Sequence, residues 1–328
     1  MSTPLVVGGA GFIGSALVRH LAQAGPVRVL DDLSSGRIEN IEGVAGVDFV
    51  KGSILDEDVS RGAMRGASGV FHLACLGVRH SIHEPVANHE VNAAGTLRLL
   101  EIARDLGLPR FVYVSTSEVY GTAETVPMTE DHPTRPHTVY GGAKLAGEAY
   151  TRAYHTTYGL PTVVIRPFNA YGPRSHHEGD SGEVIPKFLV RAHNGLAPLI
   201  FGDGLQTRDF TFVEDTARGI AAAGVSQDAV GETINLGSGK EITVRALADL
   251  VTAAVGRPDL QPEYHPERPG DVRRLLGDSA RAGDLLGWRP QVSLKEGLVR
   301  LLDWHESVRT DWATALNEDI SYNWKPQN

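Results

Sequence analysis

The chain has 328 residues, 41% of them apolar and 22% charged, with a formal net charge of −9 and a single cysteine, Cys75. That is enough apolar material for one large domain or two unequal ones without staples, and one cysteine cannot form an internal disulfide. The acidic balance speaks against the clustered Lys and Arg that nucleic-acid binding needs, and no run of 18 or more apolar residues offers a membrane span. A soluble, cytoplasmic protein with neither nucleic-acid nor membrane partners is expected.

In chain order, "PLVVGG" reads as a strand, "SALVRHLAQAG" as a helix, "PVRVLDD" as a second strand, and "GVFHLA", "FVYVST" and "TVVIRP" as later strands between helical patterns. This alternation predicts an α/β fold of Rossmann type, a doubly wound parallel sheet covered by helices, with a smaller C-terminal α/β domain. The texture changes after "RPFNAYGPRSHHEGDSG". Residues 1–167 and about 210–238 are assigned to the sheet domain, with "TRDFTFVEDTARGI" and "GETINLGSG" returning to the sheet. Residues 168–209 and 239–328 are assigned to the smaller domain.

"VVGGAGFIGSALVRHL" places Gly9, Gly11 and Gly14 in a G-x-G-x-x-G and, overlapping it, Gly8, Gly11 and Gly14 in a G-x-x-G-x-x-G, between strand and helix. Glycines there allow a tight turn and close approach of a pyrophosphate to a helix N-terminus, with Phe12 and Ile13 at the helix start. Asp31 lies about 20 residues beyond Gly11, where an acid accepts hydrogen bonds from both ribose hydroxyls and repels a 2′-phosphate, so NAD is favoured over NADP. Asp32 adjoins it, and Arg37 follows as the one nearby cation that would rescue a phosphate.

"VYGGAK" sets Tyr140 and Lys144 four apart, on one face of a helix, where an ammonium is expected to lower the phenol pKa. Upstream, "VSTSEVYG" leaves Thr116, Ser117 and Glu118 side by side at a strand end, with Thr116 placed to bond the reacting oxygen. The adjacent His176 and His177 are read as solvated loop residues, and no metal is expected.

Taken together, "GGAGFIG", "LDDLSSGR", "FHLAC", "STSEVYG", "YGGAK", "RPFNAYGPR", "TRDFTFVEDTARG" and "RPGDVRRLLGD" resemble the extended short-chain dehydrogenases/reductases that act on nucleotide sugars, over nearly the whole chain. The resemblance implies Gly8, Gly11 and Gly14 at the diphosphate, Asp31 at the ribose, and Thr116, Tyr140 and Lys144 as catalytic residues. It further implies Ser53, Ile54, Leu73 and Ala74 along the cofactor, Asn169 at the substrate phosphate, and Arg208 and Arg268 at the sugar nucleotide's diphosphate. Ser53 departs from an aspartate usual in relatives, and Ser117 from the aspartate of thymidine-diphosphoglucose dehydratases. Small residues stand at the Glu118 position in relatives that epimerise. The Thr-Ser-Glu order most resembles UDP-glucuronate decarboxylases, so decarboxylation of a UDP-sugar is the first expectation, 4,6-dehydration the second and 4-epimerisation the third. A non-catalytic NAD-binding regulator is the alternative outside enzymes.

For a decarboxylase the cation at the sugar carboxylate is in question: Arg273 and Arg274 stand near the family's arginine, and Arg79 or Arg174 are substitutes. Gly141 and Gly142 after the tyrosine weaken the helix start by up to ~1 kcal/mol each relative to alanine. The helical segments "AAGTLRLLEIARDLG" and "GGAKLAGEAYTRAYHTTYG" match those that pair the family's members into homodimers.

Overall fold

A computed structural model describes residues 3–325. Its strands are β1 (Thr3–Val7), β2 (Val27–Asp31), β3 (Val47–Lys51), β4 (Ala67–His72), β5 (Phe111–Val114), β6 (Thr162–Pro167), β7 (Asn169–Tyr171), β8 (Leu199–Phe201), β9 (Thr207–Phe212), β10 (Thr233–Leu236), β11 (Glu241–Thr243) and β12 (Glu263–His265). Seven form one sheet in the order β10-β6-β5-β4-β1-β2-β3, and every pairing in it is parallel.

Because side chains alternate across a strand, the buried part of β1, Leu5 to Val7, feeds two cores. Val6 joins Val29, Val112 and Val163 beneath the helices Phe12–Leu21 and Val213–Val225. Leu5 and Val7 join Leu30, Val70 and Phe111 on the opposite face. The strand order reverses between β1 and β4, which opens a crevice at the carboxyl ends of the strands, where ligands of such sheets bind.

The stretch "TRDFTFVEDTARGI" divides. Its strand, β9, does not return to the large sheet; it lies between β7 and β11 in a mixed three-stranded sheet, while the helix that follows packs on the large sheet. β10, from "GETINLGSG", does return. The smaller domain has its own core of Phe188, Leu189, Phe210, Leu247 and Leu301. Among the described residues no helix is long and apolar enough to cross a membrane.

Candidate active site

One cavity of about 610 Å³ runs from the crevice into the smaller domain. Gly8, Gly11, Phe12, Ile13 and Gly14 line its cofactor end. Gly8 has φ +81°, and a Cβ there would lie 2.5 Å from the backbone nitrogen of Ala74; one on Gly14 would collide with the Gly8 carbonyl. Gly9 instead packs on Val29 of the core and does not line the cavity, so Gly8, Gly11 and Gly14 are the functional set of the two overlapping patterns. Gly11 caps the helix Phe12–Leu21 without any side-chain bond to its first N–H groups, which leaves those donors for an anion.

Asp31 ends β2 and is buried. Its Oδ2 accepts from the Ala10 N–H and its Oδ1 from the Leu33 N–H, both at 2.9 Å. Burial raises its pKa, and these two N–H groups pull the other way. Each oxygen keeps a lone pair for a ribose hydroxyl, so the acid both braces the glycine loop and fits a dinucleotide. Asp32 lines the same end and accepts from the Ser34 N–H. Arg37 is engaged with Glu178 at 3.1 Å. Ser53, Ile54, Leu73 and Ala74 line the wall, with Ser53 Oγ accepting from the Leu55 N–H.

The centre is built on β5 and the helix Val139–Tyr158. Thr116 caps the short turn Ser117–Val119 by accepting from the Glu118 N–H, and its side chain lies near the Tyr140 phenol. Lys144 is buried, donates to the Val114 carbonyl at 2.6 Å, and lies 4.4 Å from the Tyr113 ring centre. Burial lowers its pKa. The expected lowering of the Tyr140 phenol is not what this surrounding produces. Burial dominates and raises it well above its ordinary value, helped by the neighbouring Cys75 thiol and the Glu118 carboxylate, while Thr116 opposes.

Gly141, unexplained by the sequence, has a physical cause here: a Cβ would lie 2.8 Å from Pro136 Cβ and 3.0 Å from the Glu118 carbonyl. The helix must pass that close to the Glu118 turn. Gly142 faces open space. Beneath the turn, Arg166 holds Glu148 through two bonds of 2.8 and 2.7 Å and donates to the Tyr120 hydroxyl at 2.8 Å. This satisfied buried network fixes the "SEVYG" segment.

At the sugar end, Ser117, Glu118, Asn169, Arg79, Arg208 and Arg268 all line the cavity. Asn169 Oδ1 is buried without a protein partner, as a ligand contact would require. Asp271 Oδ1 accepts from both Arg208 and Arg268 at 2.6 Å. Burial alone would raise the Asp271 carboxyl; Arg268 and Arg208 outweigh it and hold it low. Arg79 is half-buried near Arg268, Glu183, Asp271 and Glu118, and its pKa falls to about 10, chiefly through desolvation.

Arg174 does not join them. It does not line the cavity; its backbone has φ 70° and its guanidinium lies near Arg19 and Glu214. Arg273 and Arg274 turn to Asp203 and Glu241 on the surface, and Leu275 is core, so none of the three reaches the sugar end. His176 pairs with Glu178 at 2.9 Å and His177 with Glu318 at 3.1 Å, so both are tied down rather than merely solvated.

Sequence reasoning passed over Asp271, Cys75 and Glu183. Asp271 stands inside the quoted "RPGD" and Cys75 inside "FHLAC", so position within a motif was an available signal. Glu183, just before the helix Val184–His193, carried none.

The chain matches the family model described as GDP-mannose 4,6 dehydratase over residues 5–301. It is 42% identical over 307 residues to a UDP-glucose 4-epimerase of Mycolicibacterium smegmatis, covering 91% of this chain and 97% of that protein. It is 36% identical over 318 residues to a dTDP-glucose 4,6-dehydratase of Streptomyces antibioticus, covering 94% and 93%. The dTDP-glucose 4,6-dehydratase of Streptomyces venezuelae, solved with NAD bound, superposes with a TM-score of 0.89 at 34% identity, covering 95% of this chain and 99% of that one. A glycine cradle, a Thr/Tyr/Lys centre and an arginine-lined sugar end agree with these likenesses, and the chain belongs to the nucleotide-sugar epimerase and dehydratase family of the extended short-chain dehydrogenases/reductases.

Proposed function

We propose that the protein is an NAD-dependent 4,6-dehydratase of a nucleotide-diphosphate hexose, with a UDP-sugar favoured. The observation that carries this is Glu118. Its carboxylate lines the cavity beside Tyr140, within electrostatic reach of Arg79 and Arg208, and among the described residues no donor takes it. A 4-epimerase needs room at that point, whereas chemistry at C5 needs a base.

NAD, held by Gly8, Gly11, Gly14 and Asp31, would supply the acceptor for the C4 hydride and the hydride later returned to the sugar. Tyr140, with Thr116 beside it, takes the proton of the 4-hydroxyl. Lys144 braces the site from below. Once C4 is a ketone the C5 proton is acidic, and Glu118 removes it. Arg208 and Arg268, held together and oriented by Asp271, clamp the diphosphate.

Epimerisation at C4 is the second reading, favoured by the 42% identity to a UDP-glucose 4-epimerase. Decarboxylation has less support, since the relatives reported are epimerases and dehydratases, and Arg273 and Arg274 lie away from the sugar. A homodimer fits this reading through the helices Thr96–Asp105 and Val139–Tyr158, which carry exposed Leu97, Val139 and Tyr158.

The test is incubation with UDP-, dTDP-, GDP- and CDP-hexoses and UDP-glucuronate, followed by mass spectrometry. Loss of one water is expected. An unchanged mass with C4 inverted would replace this reading with epimerisation, and loss of carbon dioxide with decarboxylation; no turnover at all would favour a regulator.

A further inference from the structure

A dehydratase needs an acid for the departing 6-hydroxyl as well as a base for C5, and residue 117, an aspartate in the thymidine-diphosphoglucose dehydratases, is serine here. A second carboxyl group stands in the cavity wall. Glu183 immediately precedes the helix Val184–His193, and its backbone N–H donates to the His176 carbonyl at 2.7 Å, which pins its position. Its Oε2 is buried and has no hydrogen-bond partner. Leaving such an atom unpaired costs roughly 1–3 kcal/mol, so it calls for a ligand or a function.

The charged groups facing it are His176 and Glu178 from the preceding loop and Arg79 from across the cavity. Burial outweighs both cations and raises the Glu183 carboxyl to about 7, so near neutrality a large fraction of it carries a proton. A substrate diphosphate brings more negative charge and favours the protonated form further. Arg79, Glu183 and Glu118 line the same cavity, and both carboxyl groups lie within electrostatic range of the one guanidinium.

We propose that Glu183 is the general acid that protonates the leaving 6-hydroxyl, opposite Glu118 as base, with Arg79 stabilising the carboxylate that Glu183 becomes. The proposal rests on the dehydratase reading. In the step, Glu118 takes the C5 proton, the C5–H electron pair becomes the C5=C6 bond, and the C6–O bond breaks. Its oxygen leaves as water with the Glu183 proton. The hydride that bound NAD would return to C6 and the proton that Glu118 returns to C5 complete the 4-keto-6-deoxy sugar; the proton that Tyr140 removed from the 4-hydroxyl passes to solvent, and Glu183 recovers one from solvent, so the cycle balances with one water lost.

The test compares wild type with Glu183→Gln on whichever of UDP-glucose, dTDP-glucose and GDP-mannose the wild type dehydrates, and on its 6-deoxy-6-fluoro analogue, whose fluoride leaves without a proton. Glu183→Gln is expected to lose about 10²–10⁴-fold in water elimination, to keep reduction of bound NAD, and to release fluoride at close to the wild-type rate. The wild type should lose activity above about pH 7 on the hexose but not on the fluoro analogue, and His176→Gln should keep that difference. Equal rates of wild type and variant on the hexose, or equal losses on both substrates, would overturn the proposal while leaving the dehydratase reading intact. Should the variant not fold, the wild-type pH profiles on the two substrates decide. If the wild type dehydrates none of the three hexoses, the dehydratase reading fails and this proposal with it.

Discussion

At the cofactor end of the cavity a ligand meets main chain; at the sugar end it meets charged side chains. Three glycines and a helix N-terminus make the first, and even its acid, Asp31, spends a bond from each oxygen on backbone N–H groups. The second is assembled from Arg79, Glu118, Glu183, Arg208, Arg268 and Asp271, which come from separate segments of the chain. A site made of backbone is rigid and serves one ligand shape, whereas a site made of side chains changes its chemistry with single substitutions. That difference suits a family whose relatives include both a UDP-glucose 4-epimerase and dTDP-glucose 4,6-dehydratases.

Five substitutions bear on the contrast. The largest effect is expected between the two ends, where Tyr140→Phe should slow reduction of bound NAD by about 10²–10⁴-fold while binding of cofactor and sugar nucleotide is kept. Stopped-flow absorbance of the reduced nicotinamide measures this; an unchanged rate would move the base elsewhere.

Asp31→Ala removes charge-assisted bonds of roughly 1.5–3 kcal/mol each. It should weaken NAD at least tenfold in calorimetry and lower thermal stability, because the Ala10 and Leu33 N–H groups lose their acceptor. Sugar-nucleotide affinity should stay unchanged, and a loss at both ends would erase the proposed independence of the two.

The glycine pair gives opposite signs. Gly141→Ala pushes against the Glu118 carbonyl and Pro136 and should destabilise by about 1–3 kcal/mol with a fall in turnover. Gly142→Ala meets open space and should stabilise by up to about 1 kcal/mol in urea unfolding. Equal effects would dissolve the distinction drawn between them.

The smallest effect lies where the ends are tied together, at Glu178, which meets Arg37 of the cofactor side and His176. Burial would raise the Glu178 carboxyl, but His176 and Arg37 prevail and lower it to about 2. His176 is raised in turn: burial opposes, and Glu178 prevails. The carboxylate's contribution is present above its unfolded pKa and lost as pH falls towards 2; that of the imidazolium is present below its unfolded pKa and lost as pH rises through its raised one. Wild type should therefore exceed Glu178→Gln in stability by the most in mildly acidic solution, by up to about 1 kcal/mol given the exposure of Arg37. Denaturation across pH checks this.

The sequence by itself determined the parallel sheet, the glycine cradle, the acid after the second strand and the Thr116, Tyr140 and Lys144 centre. Each is local: a strand end, a turn or one helical repeat carries it, and short-range sterics dictate the residue types. Tertiary structure alone decided the rest. It put β9 in the small sheet, sent Arg174, Arg273 and Arg274 away from the sugar, engaged Arg37 with Glu178, and brought Glu183 to the cavity wall. It also reversed the sign expected for Tyr140, because a phenol's pKa responds to total burial, which no spacing of residues encodes. Charged side chains reach their partners through space, across separations that a linear pattern does not contain.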